Sequence, residues 1–272
     1  MANERLRSRK MNRLALVALL WSVPSFASVW GVEGHAVVAE LADMHLTTVA
    51  KARVAQLLPP GESLASISSW ADEVCHKLPA TAPWHFVDIP GNQQYLASRD
   101  YPVTPSSPQG SCVIGAIRHF QQVLADPQQA AQHAEALKWL VHFVGDIHQP
   151  LHCDDHNDRG GNQVTVKFFK QTTNLHAVWD TGIIGKTGLT EIDYARQLNA
   201  RLRPADIPGV EAGTLENWAS ESHVLADQHS YQGVTANGRL AGTYFDANEP
   251  IVDQQLTRGG IRLAKILNDL LK

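Results

Sequence analysis

Leu137, Trp139, Leu140, Val141, Phe143 and Val144 crowd one stretch of the chain so densely that a helix through them is apolar on nearly every face. A helix of that kind is buried on all sides, so residues 129–149 are expected to form the central helix. His142 and Asp146 are its polar exceptions, four apart and therefore on one face. Helical periodicity or helix-forming composition also marks residues 49–58, 64–76, 111–126, 174–184, 190–203, 214–230 and 246–271, with breaks at Pro59-Pro60, Pro127, Pro204 and Pro208. A further amphipathic helix begins around Ala36, Val37, Ala39, Glu40 and Leu41, with His35 in its first turn. The extended pattern QVTVKFF, 163–169, follows the turn DRGGN, and WHFVDIP, 84–90, is a second extended candidate. Residues 101–110 read as a surface loop. With no internal repeat beyond two His/Asp pairs, the pattern predicts a single, mainly α domain with a small β-hairpin.

The N-terminus stands apart from this pattern. Arg5, Arg7, Arg9, Lys10 and Arg13 precede the apolar run LALVALLW and the small-residue stretch SFAS, the plan of a secretory signal peptide over 1–29. The run is short for a membrane span. The working chain, 30–272, is therefore expected to be exported, secreted or periplasmic, monomeric and without a membrane anchor. Loss of the leader shifts the formal net charge from −4 to about −8, which excludes binding of polyanions by a basic surface alone. Bound divalent cations would reverse the local sign.

Candidate chemistry centres on HFVGDIHQPLH. His142 and Asp146 share a helix face, and Pro150 breaks the helix so that His152 can turn back towards them. His176 and Asp180 repeat the four-residue spacing in NLHAVWD. Either pair alone reads equally as a core histidine or a surface contact; both pairs with His152 point to bound metal. Asp72 in SSWADEV, and His85 with Asp88 in WHFVDIP, add ligand-type residues in apolar surroundings. Other chemistries are poorly supplied. There is no GxSxG elbow, and DDHNDRGG fails as a calcium loop because its twelfth position is Thr165 or Val166 instead of Glu. Export makes the three cysteines candidates for oxidation, with Cys75 to Cys112 as the expected disulfide and Cys153 unpaired. His45, His76, His119, His133, His148, His156, His223 and His229 are expected on the surface or behind the ligands, with His148 pointing away from Asp146.

The motifs WGxxGH, WAD, WHFVDIP, HFxGDxHQPLH, GGN and HxxWD, in that order from Trp30 to Asp180, resemble the zinc-dependent single-strand nucleases of fungi and the bifunctional nucleases of plants, a helical group related to zinc-dependent phospholipase C. The resemblance implies three zinc ions. Asp72, His85, His142 and Asp146 would hold one; His152, His176 and Asp180 a second. His35, Asp146 as a bridge, and the amino group and carbonyl of Trp30 would hold the third. Trp30 must then be the first residue, although the small-residue rule favours cleavage after Ala27, leaving Ser28 first.

The activity implied is hydrolysis of RNA and single-stranded DNA to 5′-phosphate products, with 3′-nucleotidase action on nucleotides. Asp72 and Asp146 would be the catalytic carboxylates. Asp88 and Asn162 would sit at the base or phosphate site, though Asp88 could instead cap a turn before Pro90. Phe86 either stacks on a base or fills the core. Near Cys75, where the fungal enzymes carry a basic residue, this chain has Val74-Cys75-His76-Lys77 instead, and whether Lys77 substitutes is open. Two alternatives remain open at this point: a phospholipase C on the same cluster, or an exported zinc-binding protein without catalysis.

Overall fold

A computed structural model describes residues 30–100 and 112–272; the expected signal peptide, 1–29, and the expected surface loop, 101–110, lie outside the described residues. The helix His133–Asp146 is the centre of the fold, and Ala136, Leu137 and every residue from Trp139 to Asp146 are buried. Helix Val113–Ala125 packs along it, burying Ile114, Ile117, Phe120 and Leu124. The N-terminal helix Val32–His45 lies between the long C-terminal helix Gly242–Leu270 and helix Glu191–Arg201, and it also touches the central helix. One contiguous core results, from Trp30 to Leu271.

An aromatic cluster anchors the side of the core that carries the ligands. The rings of Phe120 and Trp139 stack at 5.4 Å, Trp139 stacks on Phe143 at 5.1 Å, and His85 stands edge-on to Phe143 at 5.1 Å. Such pairs add about 0.5–1.5 kcal/mol each beyond their buried area. The cluster thus fixes the orientation of an imidazole, not only the packing.

The extended prediction at 163–169 becomes β1, Thr165–Phe168, which turns back as β2, Gln171–Asn174, in register Thr165↔Asn174 to Phe168↔Gln171. A two-residue strand β3, Arg239–Leu240, pairs parallel to β1 and gives the order β2-β1-β3. WHFVDIP differs from the sequence expectation. It begins in a 3₁₀ turn, Pro79–His85, rich in proline, and the extended residues that follow form no strand beyond one bridge between Pro90 and Asp155. Residues 64–76 likewise split into Leu64–Ile67 and Trp70–Lys77, because Ser63 and Ser66 cap the first turn reciprocally and Ser69 interrupts the helix.

The three cysteines are thiols, so the expected Cys75–Cys112 disulfide is not made. Cys75 lines the cleft described below, with the Thr81 hydroxyl as its hydrogen-bond partner. Cys112 is buried at the head of helix Val113–Ala125, where the Ile114 and Gly115 amides bond its sulfur. His148 and His223 are core residues, not surface ones. His148 points away from Asp146 as expected, bonding the Val144 carbonyl at 2.7 Å and Arg262 at 3.0 Å.

Candidate metal centre and active cleft

Asp146 ends the central helix with no exposure to solvent, at the meeting point of four other side chains. Its Oδ2 lies 3.1 Å from His85 Nδ1 and 3.3 Å from His142 Nε2. Asp72 Oδ1, from helix Trp70–Lys77, is 3.5 Å from His142 Nε2 and 3.9 Å from His85 Nδ1, and the two imidazole nitrogens are 3.1 Å apart. Four donors on a tetrahedral ion with bonds of about 2.0–2.1 Å are separated by roughly 3.3 Å. These atoms therefore already stand at near-coordinating separations.

A second set lies beside the first. His176 Nε2 is 3.1 Å from His152 Nε2 and 3.3 Å from Asp180 Oδ2, and His152 Nε2 is 3.7 Å from Asp180 Oδ1. Helix continuity places His176 and Asp180 on one face through a π-turn at Val178–Gly182. The central helix ends at Asp146, and Pro150 opens a 3₁₀ turn ending at His152. Buried Gln149 holds both pieces: its amide donates to Asp180 Oδ1 at 2.7 Å and its carbonyl accepts from Leu151 N at 2.6 Å. A third point is His35 Nε2, 3.3 Å from the other oxygen of Asp146.

The hydrogen bonds around the rings decide what these nitrogens present to one another. His142 Nδ1 donates to the Ser68 carbonyl at 2.7 Å, His152 Nδ1 to the His85 carbonyl at 3.0 Å, and His176 Nδ1 to the Gly160 carbonyl at 2.6 Å. A neutral imidazole carries one N–H, so in that form each Nε2 is a bare lone pair, the arrangement found behind metal-bound histidines; without metal the carboxylates around His142 hold a proton on its Nε2, which a bound ion would displace. Two such lone pairs facing each other at 3.1 Å, as in His152 and His176, repel unless a cation sits between them. Both nitrogens of His35, Nε2 of His85 and Oδ1 of Asp146 are buried without a hydrogen-bond partner. Orphaned buried acceptors cost about 1–3 kcal/mol each, and an ion held between His35 Nε2 and Asp146 Oδ1 would remove that cost at those two atoms. The donor set thus fits metal ions.

The electrostatics agree. Burial, then the His142 ring, lowers His35 to about 3, so it is neutral at any neutral pH and its lone pair needs no deprotonation. Burial also works against charge on His142, but the Asp146 and Asp72 carboxylates outweigh it and raise the ring to about 9. Asp146 is itself buried, yet the histidines around it hold its carboxyl well below the usual range. Gly145 makes room for the assembly. A Cβ there would stand 2.6 Å from His35 Nδ1, and the ring cannot retreat because it stacks on His142 at 3.9 Å.

A cleft of about 380 Å³ opens over the ligands, lined among others by Asp72, His85, Phe86, Asp88, His152 and Asn162. That volume suits a small organic ligand. Phe86 is half-buried on the cleft wall and not in the core, Asn162 is half-exposed, and Asp88 is exposed at the mouth. The concave wall, and after it Asp155, push the Asp88 carboxyl up to about 6, while Arg159 opposes the shift. Of Val74 to Lys77, Cys75 and His76 reach the cleft and Lys77 does not. Arg159 is a cleft residue that sequence reasoning missed. Its signal was a cation inside DRGGN, between His152 and His176, on a turn built by Asp155 Oδ1 accepting from the amides of Asp158 and Arg159 at 2.9 Å.

Trp30 is fully buried, and the adjacent Gly31 amide donates to the Asp180 carbonyl at 3.0 Å, which ties the Trp30 segment to the second set. All nine side chains or termini expected at the metals therefore come from one neighbourhood of the fold. A helical domain with clustered His/Asp donor sets beneath an open cleft could hold metal ions beside a bound ligand, and comparison with known proteins gives its class. Residues 30–272 match the S1/P1 Nuclease family. The chain is 36% identical to Endonuclease 4 of Arabidopsis thaliana, with 93% of each chain covered. It is 32% identical to Nuclease P1 of Penicillium citrinum over 89% of this chain and 97% of that one. Nuclease S1 of Aspergillus oryzae is 29% identical, over 88% and 91% respectively. The chain belongs to the S1/P1 nuclease family.

Proposed function

We propose that the protein is an exported, zinc-dependent nuclease that cleaves phosphodiester bonds of RNA and single-stranded DNA to leave 5′-phosphates, and that removes the 3′-phosphate of nucleotides. The observation that carries the reading is the convergence of His35, Asp72, His85 and His142 on one buried carboxylate, Asp146, with the three-donor set of His152, His176 and Asp180 beside it under the cleft. Asp72, His85, His142 and Asp146 would hold one zinc, His152, His176 and Asp180 another, and His35, Asp146 and the Trp30 terminus a third. Zinc there supplies positive charge for a phosphate and lowers the pKa of water towards neutrality.

The remaining work falls to the chain. Asp146 keeps the sets in register because its two oxygens face different histidines. Of the carboxylates assigned to the metals, Asp72 also lines the cleft, and burial raises its pKa. Its place on the cleft wall would let it take a proton from the attacking water. Phe86 offers a ring face to a base, worth about 1–3 kcal/mol without sequence preference. Asp88 and Asn162 offer polar contacts to base or phosphate, and Arg159 gives the cleft a cation in a chain of net negative charge. Trp30 as first residue requires removal of 1–29.

No feature favours the phospholipase reading. No described helix is long and apolar enough to cross a membrane, and the named relatives cover nearly the whole chain as nucleases. The non-catalytic alternative is opposed by the second set, which has three protein donors and borders the cleft. The test is digestion of RNA, single-stranded DNA and a 3′-mononucleotide by the purified chain, before and after chelation. Chelator-sensitive release of 5′-phosphate ends is expected; cleavage that survives full removal of zinc, or no cleavage by the zinc-loaded chain, overturns the proposal.

A further inference from the structure

Beginning two residues after His152, a second group of ligand-type side chains, Asp154, His156 and Asp227, is distinct from the donor sets just described. Asp154 is 1% exposed, and its Oδ2 has no hydrogen-bond partner. Asp154 Oδ2 is 3.3 Å from His156 Nε2, which is also 2.7 Å from Asp227 Oδ1. His156 Nε2 has at most one hydrogen, and the nearer Asp227 takes it. On its other side, Asp154 Oδ1 is 2.7 Å from His223 Nδ1. His223 Nε2 bonds the Gln93 carbonyl at 2.7 Å, and although burial opposes charge on the ring, the Asp154 carboxylate raises its pKa, so His223 braces Oδ1 and leaves Oδ2 to other partners.

Donor atoms of Asp154, His156 and Asp227 lie within 4.8 Å of one another. The ring of His156 is fixed rather than free. It stacks on Tyr231 at 4.1 Å and 10°, and Gly91 lies so close that a Cβ there would stand 2.3 Å from His156 Nε2. Asp227 is steadied by the Asn92 amide, which donates to its Oδ2 at 3.1 Å. Two acidic side chains and an imidazole are thus held in place around the buried Oδ2 of Asp154.

We propose that Asp154, His156 and Asp227 form a further divalent-metal site, with His223 bracing the far oxygen of Asp154. A mixed imidazole and carboxylate set suits zinc-class transition metals better than calcium or magnesium, which take oxygen ligands. The ion would join three segments: residues 90–93, the 153–161 loop, and the turn at Ala226–Ser230. The second of these carries the Gly160 carbonyl that orients His176, together with Asp155 and Arg159 on the cleft wall. The site is therefore a brace for the wall of the active cleft and not part of its chemistry.

The test is an anomalous difference map, at the zinc absorption edge, from crystals of the mature chain equilibrated with Zn²⁺, with zinc per chain measured on the same protein. His156→Ala and Asp227→Asn are the variants; both side chains are partly exposed, and the second keeps its shape. A peak among Asp154, His156 and Asp227 is expected, lost in both variants with one zinc fewer per chain while peaks around Asp146 persist. Peaks at Asp146 with none at Asp154 overturn this inference, showing that a proton on His223 does the work instead, and leave the nuclease reading standing. A peak at Asp154 with none at Asp146 supports the brace while removing the catalytic cluster.

Discussion

Replacing Asp146 by Asn tests the organisation of the whole centre. The change keeps shape and volume but removes a fully buried negative charge that faces His85 at 3.1 Å, His142 at 3.3 Å and His35 at 3.3 Å. Even an outer partner of a metal ligand is worth about 10–100-fold in affinity, so a carboxylate shared by two ions should cost at least about 10²-fold at each, roughly 2.7 kcal/mol per ion. The metal-free protein is affected too: His142 loses the main charge that raises it to about 9, and breaking a buried charge pair costs about 3–5 kcal/mol. Asp146→Asn should therefore lose more than one zinc per chain, melt at lower temperature without metal, and show no turnover at zinc levels that saturate the parent. Asp180→Asn, at one set only, should lose about one zinc by the same geometry. An Asp146→Asn protein with parental zinc content and parental kcat would refute the shared-carboxylate reading.

Three other outcomes follow from the same coordinates. In metal-free protein His142 is raised to about 9 from 6.5, so its contribution to stability is complete below pH 6.5 and is lost as pH rises to about 9. Metal-free melting temperature should fall over that window and the zinc-loaded protein should not follow it; equal profiles would contradict the assignment. Gly145→Ala forces a methyl to 2.6 Å from His35 Nδ1, an overpacking cost of about 1–3 kcal/mol, and should reduce zinc content and kcat, whereas a neutral result would show that His35 can move. Asp88 is raised to about 6, so KM for a nucleotide should rise as the pH drops below that value and its acceptor is protonated. Asp88→Asn should flatten the KM profile with kcat retained, and an unchanged profile would place Asp88 outside the substrate site.

Much of the site is legible in the sequence because its ligands are carried by local patterns. His142 and Asp146 interrupt an all-apolar helix, and His176 and Asp180 repeat their spacing, so periodicity alone puts each pair on one face. The same reasoning fails where distant segments supply the environment. Nothing near His148 or His223 shows that Arg262 or Asp154 will meet them in the core, contacts 114 and 69 residues away. WHFVDIP has a strand's composition but follows a proline-rich 3₁₀ turn and finds no partner strand, since its amide at Val87 pairs with the His152 carbonyl instead. The cysteine expectation fails similarly: export chemistry permits a disulfide, but position decides it, and Cys75 faces the cleft while Cys112 caps a buried helix. DDHNDRGG is not a calcium loop, yet its Asp154 and His156 meet Asp227 from a helix 71 residues on.

The central claim is that this fold gathers zinc around Asp146 to cut phosphodiesters. Its most direct test is zinc per chain on the mature protein, titrated down by chelator and followed alongside turnover of single-stranded DNA and the sequence of the N-terminus. The account predicts a chain beginning at Trp30 whose activity falls to zero as the Asp146-centred ions are removed and returns when zinc is restored. Full activity in a chain stripped of zinc, or in one that still carries residues ahead of Trp30 with its zinc content undiminished, would contradict it.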